Sequence, residues 1–325
     1  MKAIIQDRYG ATDVLQLSEI DQPAPGAGEV LVAVRAAGVD PGVWHLMTGR
    51  PYLVRAMGFG LRRPKVTVRG RDLAGVVERV GAGVTGFRPG DEVFGTCETG
   101  SFAEYASVPV HRLGAKPARI TFEQAAASPI SGVTALQAVR DCGEVQAGQR
   151  VMVIGAAGGV GSFAVQLAKA FGATVTAVCG TGKSDLVRGL GADDVIDYTR
   201  EPLDRDGPRH DLIVDTAGNR SLGVLRRAMT PHGTLVLVGG EHGGGALLGG
   251  FDRQMRAPLT SPFVSQRLRG LVARENADDL RTLGELIDDG SVTPRLDRTY
   301  PLTQAAEAID YLAEGHAAGK VVVTI

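Results

Sequence analysis

The chain reads as a two-domain α/β protein: a doubly wound parallel sheet with helices on both faces, inserted into a mostly β domain. Three observations predict this. The 325 residues are enough for two cores at roughly 150 residues per domain. The stretch up to about Ala118 is made of short alternating apolar runs broken by Gly and Pro, and from about Ile120 strands alternate with helices. After Asn276 that alternation stops.

In the first stretch, Glu29 to Val34 and Ala74 to Val80 carry the period-two pattern of strands. In the second, Arg150 to Ile154 is a strand, followed by a helix through Phe171, a strand at Thr174 to Val178 and a helix to Leu190. Three more strands follow at Asp194 to Asp197, Asp211 to Val214 and Thr234 to Val238. Strand and helix in turn imply parallel pairing, because each parallel strand needs a crossover. Asn276 can cap a helix with Asp278 and Asp279 in its first turn, Leu280, Leu283, Leu286 and Ile287 on its apolar face, and Gly290 as its stop. A further helix starts near Thr303 and Lys320 to Ile325 is a strand. The expected division is residues 1–119 with 266–325 as the β-rich substrate domain, and residues 120–265 as the inserted domain.

Composition excludes several classes. Thirty-five basic and 36 acidic residues give a net charge of −1, without the long block of one sign that a nucleic-acid arm or membrane patch needs. The N-terminus lacks a signal-peptide core. The uncharged run Val151 to Ala168 is broken by four glycines and reads as a buried turn and helix rather than a membrane span. Three scattered cysteines with no CxxC pair point to a reducing cytoplasm. The 45 glycines, against 5% aromatics, need explaining.

Part of that excess sits in Gly155-Ala156-Ala157-Gly158-Gly159-Val160-Gly161, between a predicted strand and a predicted helix. Glycine lets backbone approach a pyrophosphate while first-turn N–H groups point at the anion. NAD-selective folds place Asp or Glu about 20 residues further on, at the end of the second strand. Here that place reads Cys179-Gly180-Thr181-Gly182-Lys183-Ser184, where no acid repels a 2′-phosphate and Lys183 can bind one, so the expected cofactor is NADPH.

These runs, with Gly38-Val39-Asp40-Pro41, Gly70-Arg71-Asp72-Leu73-Ala74-Gly75, Phe87-Arg88-Pro89-Gly90-Asp91, Gly100-Ser101-Phe102-Ala103-Glu104-Tyr105 and Gly132-Val133-Thr134-Ala135, resemble the medium-chain dehydrogenase/reductase superfamily, and within it the zinc-free quinone oxidoreductase group, over nearly the whole chain. The resemblance implies a Rossmann domain inserted into a GroES-like domain. It also implies Gly158, Gly159, Val160 and Gly161 at the pyrophosphate, Thr134 beside the nicotinamide, and Lys183 with Tyr198 at the 2′-phosphate. A homodimer through the cofactor-domain sheet is implied as well. Gly239, opening the run to Gly245 after the fifth strand, is expected on the nicotinamide side.

Zinc-dependent relatives have cysteine where this chain has Asp40 and Gly-His-Glu where it has Gly70-Arg71-Asp72, so no metal is expected. Arg71 and Asp72 read as a structural pair or as residues that pin a loop. By position, Asp40 and His45 replace an asparagine and a tyrosine of the quinone reductase pocket. His45 is therefore the candidate proton donor or oxyanion-stabilising group, with packing beside Trp44 as the alternative, and Asp40 either orients it or caps a helix before Pro41. The other histidines, His111, His210, His232, His242 and His316, fall in predicted turns or helix ends without ligand spacing. Residues Arg50 to Lys65 read as a partly helical surface excursion, or alternatively as a pocket wall whose basic groups hold an acidic substrate. The expected activity is reduction of quinones or α,β-unsaturated carbonyls, since without a Lewis acid hydride goes most easily to an already polarised acceptor. An NADP-dependent alcohol or carbonyl oxidoreductase and a non-catalytic NADPH sensor are the alternatives. The expected partner is a small molecule, with neither nucleic acid nor membrane.

Overall fold

The computed structural model describes residues 1–239 and 248–325. The rest of the glycine-rich run after Gly239, with His242, lies outside them. In chain order the elements begin with β1 (Lys2–Ile5), β2 (Gln16–Glu19), β3 (Glu29–Val39), α1 (Pro41–Thr48), α2 (Tyr52–Val54), β4 (Asp72–Val80), β5 (Glu92–Thr96), β6 (Tyr105–Pro109), β7 (Leu113–Ala115), α3 (Phe122–Ala126) and α4 (Pro129–Leu136). They continue with β8 (Arg150–Ile154), α5 (Gly159–Ala170), β9 (Thr174–Cys179), α6 (Ser184–Gly189), β10 (Asp194–Asp197), β11 (His210–Asp215), α7 (Leu222–Ala228), β12 (Met229–Leu237), α8 (Phe251–Thr260) and β13 (Arg267–Gly270). The last are α9 (Ala277–Asp288), β14 (Leu296–Pro301), α10 (Ala305–Ala313) and β15 (Lys320–Thr324).

The chain forms two compact units. One is Thr134–Arg274 with Ser291–Thr293. Its six strands, all parallel, run in the order β10-β9-β8-β11-β12-β13. β8 is central because every residue after Arg150 is apolar and buried, as a strand covered on both faces requires. Winding goes from β8 outward to β10 and then from β11 outward to β13, so the direction reverses between β8 and β11. Open α/β sheets bind ligands at such a switch point, beyond the carboxyl ends of the strands. Met152, Ile154, Ile196, Ile213, Leu225, Leu235 and Leu268 belong to one buried cluster beside this sheet.

The other unit is Met1–Val133 with Glu275–Gly290 and Pro294–Ile325. Seven strands run β14-β15-β3-β4-β5-β7, with β6 also on β3. All pairings here are antiparallel except β14 with β15. Helix α9 starts where expected: the Asn276 side chain accepts the Asp279 N–H at 2.8 Å, and Leu280, Leu283 and Ile287 are buried. Helix α1 is capped by Asp40, with Pro41 at its first position.

The borders between units differ from the expected 119/120 and 265/266. α3 packs on β3 and β4, and the Ile130 N–H at the head of α4 is bonded to Asp72 of β4, so the first unit extends to Val133. At the other end β13 pairs with β12 in the parallel sheet, so the second unit keeps residues to Arg274. His210 is also corrected. It is not in a turn but in β11, 2% exposed, where burial pushes its pKa down to about 4.

Among the described residues no helix is long and apolar enough to cross a membrane. The three cysteines are free.

Two glycines fix the β8 to α5 turn. Gly155 has φ +78°, and a β-carbon there would lie 2.6 Å from the Thr216 hydroxyl oxygen. At Gly161 a β-carbon would lie 2.1 Å from the Gly155 carbonyl oxygen, a backbone atom that cannot step aside. Gly161→Ala should therefore destabilise the protein by about 1–3 kcal/mol. Gly189→Ala, in α6 where nothing lies within 4 Å, should leave stability unchanged or raise it by up to about 1 kcal/mol. Denaturant midpoints of the two variants against wild type check the contrast.

Candidate active site

At the carboxyl end of β8, the N–H groups of Gly155 and Ala156 both bond the Val178 carbonyl at 3.1 Å, tying the turn to β9. Gly158 N–H returns to the Gly155 carbonyl at 3.0 Å, and the Ser162 N–H is the first to bond back to the turn, at Gly158. The N–H groups of Gly159, Val160 and Gly161 make no hydrogen bond to described residues. They are the free donors of the first turn of a twelve-residue helix, the arrangement that receives a pyrophosphate.

The end of β9 carries the second group. Lys183 is the N-cap of α6, and its N–H bonds the Gly180 carbonyl at 3.2 Å. Tyr198, just after β10, is tied by its N–H to the Cys179 carbonyl at 3.2 Å. Its hydroxyl oxygen lies 3.3 Å from where a β-carbon on Gly180 would stand. The structure thus brings Gly180, Lys183 and half-exposed Tyr198 to one strand end. Gly239 is at the end of β12, with its Cα against Thr216: a β-carbon there would be 2.2 Å from the Thr216 carbonyl oxygen. Thr134 is 9% exposed on α4.

Two neighbours were not visible in the linear spacing. Arg220, from the turn after β11, places its guanidinium 5.4 Å from the Tyr198 ring centroid. The carboxylate of Asp197 accepts from the Thr181 hydroxyl at 2.7 Å and from the Thr199 hydroxyl at 2.7 Å. These bonds, with Arg200 nearby, hold its pKa below the ordinary carboxylate range. An acid is therefore near the turn after β9, but both oxygens are occupied by hydroxyl donors.

The first unit contains a cavity of about 680 Å³ lined by α1, by the Arg50 to Lys65 excursion and by the chain entering β4 and leaving β5. Val43, Leu46, Met57, Phe59, Val66 and Val68 supply apolar wall, and Lys65, Arg69 and Arg71 supply positive charge. The excursion is partly helical, as expected, and also forms a pocket wall. Cys97 is in the same lining, and burial pushes its thiol pKa up to about 11.

Neither Asp40 nor His45 lines this cavity. Val43 and Leu46 share one face of α1 by their spacing of three, and His45 falls on another. His45 Nδ1 is 2.6 Å from the Arg50 carbonyl oxygen, which only an N–H can approach, so Nδ1 carries the proton. Burial lowers the pKa of the imidazole, leaving Nε2 unprotonated, an acceptor rather than a donor. The ring is edge-on to Trp44 at 5.2 Å. Asp40 accepts the Gly42 N–H at 2.7 Å as a helix cap.

Arg71 and Asp72 do not pair with each other. Arg71 meets Glu275 at 2.5 Å. Asp72, fully buried, accepts the Ile130 N–H at 2.9 Å and lies 3.5 Å from Lys320 Nζ. Burial pushes its pKa up to about 7 against the pull of Lys320, and Asp40 adds to the rise. Among the described residues no group of three or more His, Cys, Asp or Glu could hold a metal ion. A zinc ion does not fit this donor set, because Arg71 brings a cation to a position that needs a ligand.

Comparison with known proteins agrees with this architecture. Residues 26–118 match the alcohol dehydrogenase GroES-like domain family and residues 190–323 the family described as zinc-binding dehydrogenase. The chain is 34% identical to the NADPH-dependent alkenal/one oxidoreductase, chloroplastic, of Arabidopsis thaliana, over 99% of this chain and 79% of the relative. It is 32% identical to the mouse NAD(P)H oxidoreductase RTN4IP1, mitochondrial, over 100% and 89%. The solved structure of the quinone oxidoreductase from Coxiella burnetii superposes with a TM-score of 0.86 at 28% identity, covering 100% of this chain and 99% of that one. On the strength of the shared domains and full-length identity, the chain belongs to the medium-chain dehydrogenase/reductase superfamily, in its quinone-oxidoreductase-like group.

Proposed function

We propose that this protein is an NADPH-dependent, zinc-independent reductase of quinones or α,β-unsaturated carbonyls. The observation that carries the reading is a dinucleotide turn with free N–H donors in one unit and, in the other, a cavity with Lys65, Arg69 and Arg71 in its wall; among the described residues no three metal-ligating side chains come together. The relatives named as an alkenal/one oxidoreductase and a quinone oxidoreductase support the same substrate class.

NADPH, when bound, supplies the hydride. The N–H groups of Gly159, Val160 and Gly161 are assigned to its pyrophosphate, Lys183 and the Tyr198 hydroxyl to its 2′-phosphate, and Thr134 and Gly239 to the nicotinamide side. Arg71 is kept protonated by Glu275, and lines the cavity where negative charge on the acceptor oxygen develops. His45 is assigned to hold the turn at Arg50 rather than to deliver a proton, and Asp40 to cap α1. A reducing compartment such as the cytoplasm is supported by three free cysteines. A homodimer is supported by β13, which stands at the edge of the parallel sheet with one side unpaired.

The purified protein should oxidise NADPH with a panel of quinones and enones, unimpaired by a zinc chelator, and should elute at about twice its 33.9 kDa chain mass. Alcohol oxidation with enones ignored would favour an alcohol oxidoreductase, and tight NADPH binding with no turnover a sensor. Lys183→Ala should raise KM for NADPH about ten- to a hundredfold and leave KM for NADH nearly unchanged; equal losses would refute the 2′-phosphate assignment. His45→Gln should keep kcat/KM within about threefold and leave the shape of its pH profile unchanged, since His45 is not in the cavity lining and its imidazole is tied to the Arg50 carbonyl. A lost limb in that profile would restore His45 as the proton donor.

A further inference from the structure

We infer that the cavity of the first unit recognises a carboxylate on the substrate, received by Arg69, so that the preferred acceptors are enone acids in which a carboxylate and a ketone flank the double bond. This rests on the reductase reading above and narrows its substrate class.

Arg69 lines the cavity and is 4% exposed. Burial pulls its pKa down to about 10, so the guanidinium stays charged at neutral pH. A charge so withdrawn from water is costly unless it is paired. Yet among the described residues no carboxylate forms a salt bridge with it. One terminal nitrogen donates to the Val66 carbonyl, and Nε is buried with no acceptor. Tyr9, the one other titratable group acting on it, is held neutral, as burial raises its pKa.

The other charges nearby are matched, apart from Lys65, the third cation of the lining, which is exposed to water. Arg71 pairs with Glu275, which also lies 3.7 Å from Arg112. Glu98, the acidic member of the lining, pairs with Arg112 at 2.6 Å. Arg69 is the buried cation of the lining without a salt bridge among the described residues, and it borders an otherwise mainly apolar space.

Geometry adds a second cation. Arg69 and Arg71 are two residues apart on either side of Gly70, whose φ of +87° and close approach to Ser101 and Phe102 leave no room for a side chain. Both arginines line the cavity. A molecule with one anionic end and one oxygen that becomes anionic during reduction matches two such cations. A guanidinium receives a planar carboxylate through two N–H groups. The apolar residues Val43, Leu46, Met57 and Phe59 receive the carbon skeleton, in a volume ordinary for a small-molecule site.

The matched substrates are (E)-4-oxopent-2-enoate and (E)-pent-3-en-2-one, which differ by a carboxylate in place of a methyl group. Wild type should favour the acid in kcat/KM. Arg69→Met should reduce the ratio of acid to neutral kcat/KM at least tenfold, a comparison in which the intrinsic reactivity of the two compounds cancels. An unchanged ratio overturns the inference. Because Arg69→Met could fail to fold, wild type is also tested with 4-oxopentanoate and pentan-2-one as inhibitors of pent-3-en-2-one reduction. The acid should inhibit at least tenfold more strongly, and equal inhibition overturns the inference. If neither enone is reduced, the reductase reading fails. Calorimetric titration of wild type with 4-oxopentanoate then decides the carboxylate site separately, binding supporting it and no binding overturning it.

Discussion

The buried carboxylate of Asp72 sets the geometry of the first unit. It stands at the head of β4, receives the N–H of Ile130 at the start of α4, and faces Lys320 of β15. A charged pair taken wholly out of water gains little as a pair, but losing one partner leaves the other stranded, so the arrangement is enforced more strongly than it is rewarded. Neighbouring side chains on an extended chain point to opposite sides. Fixing Asp72 toward β15 therefore sends Arg71 the other way, to Glu275 and the cavity. Gly70, just before this point, is held at φ +87°, a conformation that side chains avoid.

The two units offer positive charge through different chemistry. In the α/β unit the donors at the β8 to α5 turn are backbone N–H groups, set by glycines that let Gly155 and Gly161 come together. Such donors are rigid and cost no side-chain ordering. In the β-rich unit the charge comes from arginine side chains on a short segment, one matched by Glu275 and one not. The net charge of −1 conceals both, because most cations along the chain are cancelled within their own neighbourhood.

What was legible in the sequence was local. The strand, glycine turn and helix at Arg150 to Ala170 lie in one continuous run, so period and spacing were enough, as they were for the cap of α9 at Asn276. What was hidden depends on pairing across distance. Asp72 and Lys320 are 248 residues apart, and no pattern around Asp72 points to β15. Of the two readings of Arg71 and Asp72, a mutual pair or a tie to another segment, the structure has the second: Arg71 reaches Glu275, 204 residues on. β13 has only four residues, two of them arginine, so nothing marked it as part of the parallel sheet. His45 was assigned by its offset from Asp40, without the helix face that turns it to the Arg50 carbonyl. Arg69 carried no signal beyond its place two residues before Arg71, because the lack of a counter-charge is a property of the folded surroundings.

The thiol of Cys97 bears on the durability of such an enzyme. Conjugated enones and quinones alkylate thiolates, and a cysteine in the wall of a cavity proposed to receive them is an obvious target for self-inactivation. Nucleophilicity resides in the ionised form, and with a pKa near 11 almost none is present at neutral pH. The burial that closes the cavity wall thereby also keeps its sulfur inert toward the electrophiles proposed as substrates.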